Sequence, residues 1–262
     1  MKQVIINNTQ PASIISGEEK LLKPTKRQVQ CPFIMKQIRV LRIVFDNHIA
    51  SFEIPAFRAA IAQKAGLENT LFHNHERSTF RYQYPLIQYK RMGGKAAIVC
   101  LDEGVDEVHK FFSQRDWTLH ISGREIHTQV DQLDLNSYTL KVEDRTFIYR
   151  ISNWIGVNQK SYPAFKALKG EDEKKDFLAK KLIGNILSFA KGVGWHIEDR
   201  IELKINHLDS SHLVKLKGIP LTAHSLVFST NVQLPMGIGL GKSVSLGYGV
   251  LYKKKPIPRV EK

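Results

Sequence analysis

Two histidines separated by one residue, His73 and His75, lie in "TLFHNHERSTFRYQYPLIQYKR" (70–91), together with Tyr82, Tyr84, Tyr89, Lys90 and Arg91. Imidazole ordinarily titrates near neutrality, so one such group can accept a proton while another releases one. In an extended segment this spacing puts both rings on the same side. His75 abuts the polar "HERST" and His73 the apolar "TLF", which favours His75 for proton transfer, then His73, with His48 third. Taken singly, each histidine also suits an ordinary surface loop. His-Asn-His could also suggest a metal nuclease, but that chemistry needs a ββα context with further ligands, which the sequence does not supply. No metal and no cofactor is expected. The tyrosines and Lys90 alternate along a strand-like run, so some face a core and others a ligand. Pro85 inside that run marks an edge or a bulge.

A second stretch, "PMGIGLGKSVSLGYGVLYKKK" (235–255), suggests a phosphate-cradling loop. A Walker A loop needs glycine, four residues, then Gly-Lys-Ser or Gly-Lys-Thr. Gly241-Lys242-Ser243 would require glycine at 236, where the chain has Met236, and Gly237 leaves only three intervening residues. A strand-like run follows Ser243, where a nucleotide-binding loop would open a helix. Nucleotide binding of that kind is therefore not expected. Residues without Cβ do let main-chain N–H groups approach a nucleic-acid backbone closely. On that reading Gly237, Gly239, Gly241, Gly247 and Gly249 frame the contact, with Lys242 adding charge and Ser243 and Ser245 adding donors. A loop that only turns tightly between strands would use the same glycines.

Charge points the same way. The 262 residues include 39 Lys and Arg against 25 Asp and Glu, a formal charge of +14. Such a surplus favours an anionic partner, most often nucleic acid. Arg39 in the first strand-like run and Arg91 beside the tyrosines are further candidate RNA contacts. Lys180, Lys181 and Lys191 read as the solvated face of a helix. The basic tail "YKKKPIPR" (252–259) would add a salt-sensitive, sequence-independent attraction. There is no run of 18 apolar residues and no signal-peptide core, so no membrane partner and a cytoplasmic location are expected. Cys100, in "AAIVCL", reads as a buried thiol.

These groups must be positioned by a regular framework. Residues 1–34 are polar and without period, and read as an extension. Strands are expected at 37–46, 80–90, 95–101 and 117–122, with helices at 54–66 and 104–114. That β-α-β-β-α-β order is ferredoxin-like, and its sheet leaves one face free of helices, a surface on which RNA commonly binds. A second half has a strand at 145–154, a strong helix at 171–192 with an apolar stripe of Phe177, Leu178, Leu182, Ile186, Leu187 and Phe189, and Gly192 to cap it. Strands follow at 200–206, 212–218, 222–231 and 246–253. The expected organisation is an α+β chain of tandem ferredoxin-like (RRM-like) domains at 35–136 and 137–255, the second carrying the glycine-rich loop, then a basic tail at 256–262.

The C-terminal motif carries a resemblance. Gly239-Leu240-Gly241, followed by Ser245-Leu246-Gly247-Tyr248-Gly249, resembles the glycine-rich signature of the RAMP superfamily. Within it the chain is most similar to the CRISPR-associated endoribonucleases, Cas family six, that cut precursor CRISPR RNA within each repeat. The strand at 223–231 also resembles that family's penultimate strand. The resemblance implies metal-independent cleavage, in which a ribose 2′-OH attacks the adjacent phosphate to give 2′,3′-cyclic phosphate and 5′-OH ends. That chemistry needs a base, an acid and a cation for the crowded phosphorane. In the family, histidine at or just after the first helix acts with Tyr or Lys, which implies His75 or His73 assisted by Tyr82 and Lys90. The implied partners are repeat RNA and subunits of a CRISPR effector complex, with the protein itself a monomer or homodimer. The alternative is a non-catalytic RAMP-type subunit that holds guide RNA.

Overall fold

A computed structural model describes residues 35–66, 70–73, 75–76, 79–80, 83–216 and 218–253; for 70, 73, 75, 76, 79 and 80 it describes the backbone alone. The expected extension at 1–34 and the basic tail at 256–262 lie outside the described residues.

In chain order the elements are β1 (Lys36–His48), α1 (Ile54–Ala65), α2 (Thr70–His73), β2 (His75–Glu76), β3 (Thr79–Phe80), β4 (Ile87–Met92) and β5 (Lys95–Leu101). There follow α3 (Glu103–Glu107), α4 (His109–Phe112), β6 (Thr118–Ile121), β7 (Arg124–His127) and β8 (Val130–Trp154). The rest comprises α5 (Tyr162–Ala167), α6 (Glu171–Gly192), β9 (Leu203–Leu216), β10 (Ile219–Gln233) and β11 (Val250–Lys253). A seven-stranded sheet runs β4-β5-β1-β8-β10-β9, with β11 also paired to β8.

The sheet is continuous because β8 serves both halves. Its Val130–Leu140 portion pairs antiparallel with β1, and its Lys141–Trp154 portion pairs with β10. This alters the expected strand list. The segment at 117–122 forms a separate β6–β7 hairpin, and the place beside β1 goes to Val130–Leu140. That portion reads weakly as a strand because little of it is buried. Leu133 and Leu135 are largely exposed, so its extended form rests on pairing with β1 rather than on an apolar face. The strands expected at 200–206 and 212–218 merge into one long β9.

Alternation along β1 sends side chains into two cores. Leu41, Ile43 and Phe45 meet Phe57 and Ile61 of α1 and Phe111 of α4. Ile38 and Val40, with Val99 and Leu101 of β5, join a cluster containing Leu178, Leu182, Ile186 and Phe189 of α6. The sheet face expected to be free of helices is therefore packed against the second half of the chain. Each of those α6 side chains stabilises the fold by about 1.5–3 kcal/mol on burial. Leu187, assigned to the same stripe by periodicity, is largely exposed instead. Gly192 is the last residue of α6, not its cap, and a Cβ there would lie 2.4 Å from Tyr84 Cβ. Gly66 does cap α1, in a left-handed conformation, as the sequence predicts.

Candidate functional site

The glycine-rich segment is held from two sides. On one side stands β4, the strand that follows the histidine loop. Tyr84, just before β4, donates its hydroxyl to the Gly239 carbonyl at 2.7 Å. The Gln88 carboxamide oxygen accepts from the Gly239 amide at 2.9 Å, and its nitrogen donates to the Tyr84 hydroxyl at 2.8 Å. Both backbone groups of one glycine are thus read by two side chains that also hold each other. Two residues further on, the Lys90 ammonium donates to the Val244 carbonyl at 2.9 Å. Between them the Tyr89 amide donates to the Ser245 carbonyl at 3.3 Å, and Tyr89 bridges Leu246 in parallel.

On the other side stands the end of β8. The Lys242 amide donates to the Ile155 carbonyl, and the Gly249 amide to the Asn153 carbonyl. Gly241, at φ +92°, lies over the Trp154 indole, where a Cβ would come within 2.7 Å of Nε1. Trp154 is itself fixed by donation to Asn185 Oδ1 of α6 at 2.9 Å. At Gly249 a Cβ would fall 1.9 Å from the Leu240 carbonyl oxygen, and at Gly239 2.8 Å from the Lys90 ammonium. These glycines let two β-halves close on a single loop.

The expectation that the loop's amides lie open to phosphate is corrected for those that this arrangement already engages. Gly237, Gly239 and Gly249 are buried, and the amides of Gly237, Gly239, Leu240, Lys242, Leu246 and Gly249 all donate within the protein. What faces solvent is the rim: Lys242 is exposed, and Gly241, Ser243, Ser245 and Gly247 are partly so.

Other expected residues are distributed as follows. Lys90 is fully buried, and desolvation lowers its pKa from 10.5 to about 7. Its ammonium reaches the glycine segment, not the surface. The Arg39 guanidinium forms a two-point pair with the Asp106 carboxylate, at 2.8 and 2.7 Å, so its charge is already answered. Arg91 donates through Nε to the Ile49 carbonyl at 2.7 Å and remains exposed. The backbone puts His73 at the end of α2 and His75 at the start of β2, opposite Phe80. Their side chains, and Tyr82 as a whole, lie outside the described residues.

Gln88 and Trp154 were not singled out from the sequence, and Arg42 only as a basic residue of the first strand. Gln88 gave one signal, an amide within the otherwise apolar start of a strand. Trp154 gave none, since an indole in a strand reads as core. Arg42 stands beside Gly237, where a Cβ would lie 3.8 Å from its Nε; that Nε is buried without a hydrogen-bond partner.

Comparison with known proteins decides the family. Residues 36–139 match the model of the Cas6b N-terminal domain, and residues 141–254 match that of the Cas6b C-terminal domain. This chain belongs to the Cas6b family. The two matched regions meet within β8, the strand shared by both halves of the Cas6b fold. One solved structure, described as a crystal structure of Cas6b, is 25% identical to this chain, with a TM-score of 0.74, covering 84% of this chain and 100% of that one. A second, described as a CRISPR RNA processing endoribonuclease Cas6b, is 22% identical with a TM-score of 0.62 at the same coverage. An uncharacterised protein of Methanocaldococcus jannaschii is 36% identical over 99 residues, which span 38% of this chain and 66% of that protein.

Proposed function

We propose that this Cas6b-family chain is an endoribonuclease that cuts CRISPR repeat RNA once per repeat to yield mature crRNA. The observation that carries the reading is the match to both Cas6b domains in order across residues 36–254. The fold adds physical support. The histidine pair lies between α1 and β4, and β4 holds the glycine-rich segment. The sheet orders β4-β5-β1-β8 and β11-β8-β10-β9 support tandem ferredoxin-like halves, here divided near residue 137.

In the proposed mechanism His75, with His73 as the alternate, deprotonates the ribose 2′-OH or protonates the leaving 5′-oxygen. Each such role contributes about 10²–10⁴ in rate. The attacking oxygen closes a 2′,3′-cyclic phosphate as the P–O5′ bond breaks, and no metal enters the step. Tyr82 assists from the same loop. Lys90, sealed beneath the glycine segment, positions that segment rather than meeting the phosphorane. Lys242 and Arg91 supply surface charge for the RNA backbone. The product crRNA would pass to effector-complex subunits in the cytoplasm, with the protein acting as a monomer or homodimer.

The test is cleavage of labelled repeat RNA in EDTA by wild type, His73→Ala and His75→Ala. Wild-type cutting with cyclic-phosphate ends, and at least a 100-fold loss in one variant, is expected. Binding without cutting would overturn the enzyme reading in favour of the guide-RNA binder. Abolition by EDTA would overturn the metal-free mechanism, and continued cutting of a 2′-deoxy substrate would overturn 2′-OH attack.

A further inference from the structure

A cavity of about 420 Å³ lies on the second half of the chain. Tyr162, Phe165 and Lys166 of α5, Lys174 of α6, Leu208, Ser210 and Ser211 of β9, and Thr222 and His224 of β10 line it. Its size falls in the range of about 300–1,000 Å³ typical of small-ligand sites. Lys174 and Gly192 are 18 residues apart along α6, which at 1.5 Å per residue is about 27 Å. Gly192 touches Tyr84 at the flank of the histidine loop, so the cavity stands at the opposite end of the helix.

Three kinds of surface meet there. Phe165 and Tyr162 supply flat apolar faces, and Tyr162 keeps 41% of its surface exposed. Lys166 and Lys174 supply cationic charge; neither forms an ion pair among the described residues, although Lys174 stands close enough to Glu171 to help lower its pKa. Third, His224 is only 6% exposed, and its Nε2 is buried without a hydrogen-bond partner. The ring is held edge-on by Phe165, at 5.8 Å between centroids, and lies 6.5 Å from Trp154. Burial, with His212 as a lesser cause, holds the imidazole below its usual pKa, so near neutral pH it is an uncharged group with a donor and an acceptor nitrogen. The unpaired, solvent-closed Nε2 costs free energy that a ligand in the cavity recovers once the ring turns that nitrogen toward it.

Aromatic surface, a neutral polar ring and two ammonium groups lining one cavity match the three parts of a nucleotide. We infer that this cavity is a nucleotide-binding subsite, which takes one base against Tyr162 and Phe165 and its phosphate at Lys166 and Lys174. It rests on the proposed function in one respect, that the nucleotide arrives as part of RNA; a free ribonucleotide carries the same chemistry. The hydroxyls of Ser210, Ser211 and Thr222 complete the polar rim. Because Trp154 also lies under Gly241, the subsite and the glycine-rich segment share one supporting side chain.

The test irradiates 4-thiouridine-substituted repeat RNA bound to the full chain, in EDTA, and maps adducts by mass spectrometry. A parallel arm titrates uridine and adenosine 5′-monophosphate against the His224 ring proton signals. The expected result is an adduct within 162–166 or 208–224, and RNA affinity lowered about 5- to 100-fold by Tyr162→Ala and by Lys166→Glu with Lys174→Glu. Shifts of His224 by monophosphates, with RNA affinity unchanged, would assign the subsite to free nucleotide. Displacement of the monophosphates by pyrophosphate with equal affinity would overturn it, since only an anion would then be recognised. No adduct in either segment and no shift of His224 would overturn it as well. Neither arm requires cleavage, so the subsite can fail while the ribonuclease reading stands, and the reverse. Tyr162 and Lys166 are exposed and Lys174 partly so, so those variants should melt as wild type does; His224→Gln, which keeps a donor and an acceptor, should retain more affinity than His224→Leu.

Discussion

The Lys90 ammonium meets the Val244 carbonyl across 154 residues of sequence, with no carboxylate in an ion pair beside it among the described residues. It is a buried cation whose acceptor belongs to the glycine-rich segment. Burial draws its pKa from 10.5 to about 7. Between those values the unfolded chain holds more protons than the folded one, so stability rises as pH climbs from about 7 toward 10.5. Urea unfolding from pH 7 to 9 should show a steeper rise for wild type than for Lys90→Met. Equal slopes would mean that the ammonium finds water or a counter-charge in solution.

Glycine is required at Gly249 and dispensable at Gly184. A methyl group at 249 would enter the Leu240 carbonyl at a φ of +63°, whereas nothing lies within 4 Å of one at 184. Gly249→Ala should destabilise by about 2 kcal/mol or more, from crowding and from the left-handed backbone. Gly184→Ala, in the middle of α6, should stabilise by about 0.5–1 kcal/mol. Thermal or urea unfolding of the pair checks both signs at once.

Tyr84 and Gln88 act as one unit on Gly239. Tyr84→Phe should cost about 0.5–1.5 kcal/mol, and Gln88→Leu about 1–3 kcal/mol because it orphans a buried amide. In a double-mutant cycle the two should couple by about 0.5–3 kcal/mol. Strict additivity would show that the observed network does not hold in solution.

Lys242 is an exposed cation of the segment, and it is expected to meet phosphate rather than bases. Lys242→Ala should weaken binding of single-stranded RNA to a similar degree for unrelated sequences. The slope of log K against log salt should become shallower by about 0.7. A change confined to one repeat sequence would instead place Lys242 at a base.

Local pattern sufficed for β1, α1, β5 and most of the buried stripe of α6, from which Leu187 departs, whereas of the strand expected at 80–90 only the part from Ile87 onward lies in β4. The glycine spacing around "GLGKSVSLGYG" connected the chain with the family that both domain matches bear out. Local pattern did not reveal β8 as one strand, since Val130–Leu140 is extended only because β1 lies beside it. Nor could it show that Lys90 is buried or that Arg39 is answered by Asp106; both facts depend on partners more than 60 residues away. The role of the glycines was decided in the same way. Sequence placed five of them near the end of the chain, but only the closing of β4 and β8 on that segment turned their missing Cβ atoms into a packing requirement. The energy of a contact depends on what stands opposite, and for residues far apart in the chain only the tertiary fold supplies that partner.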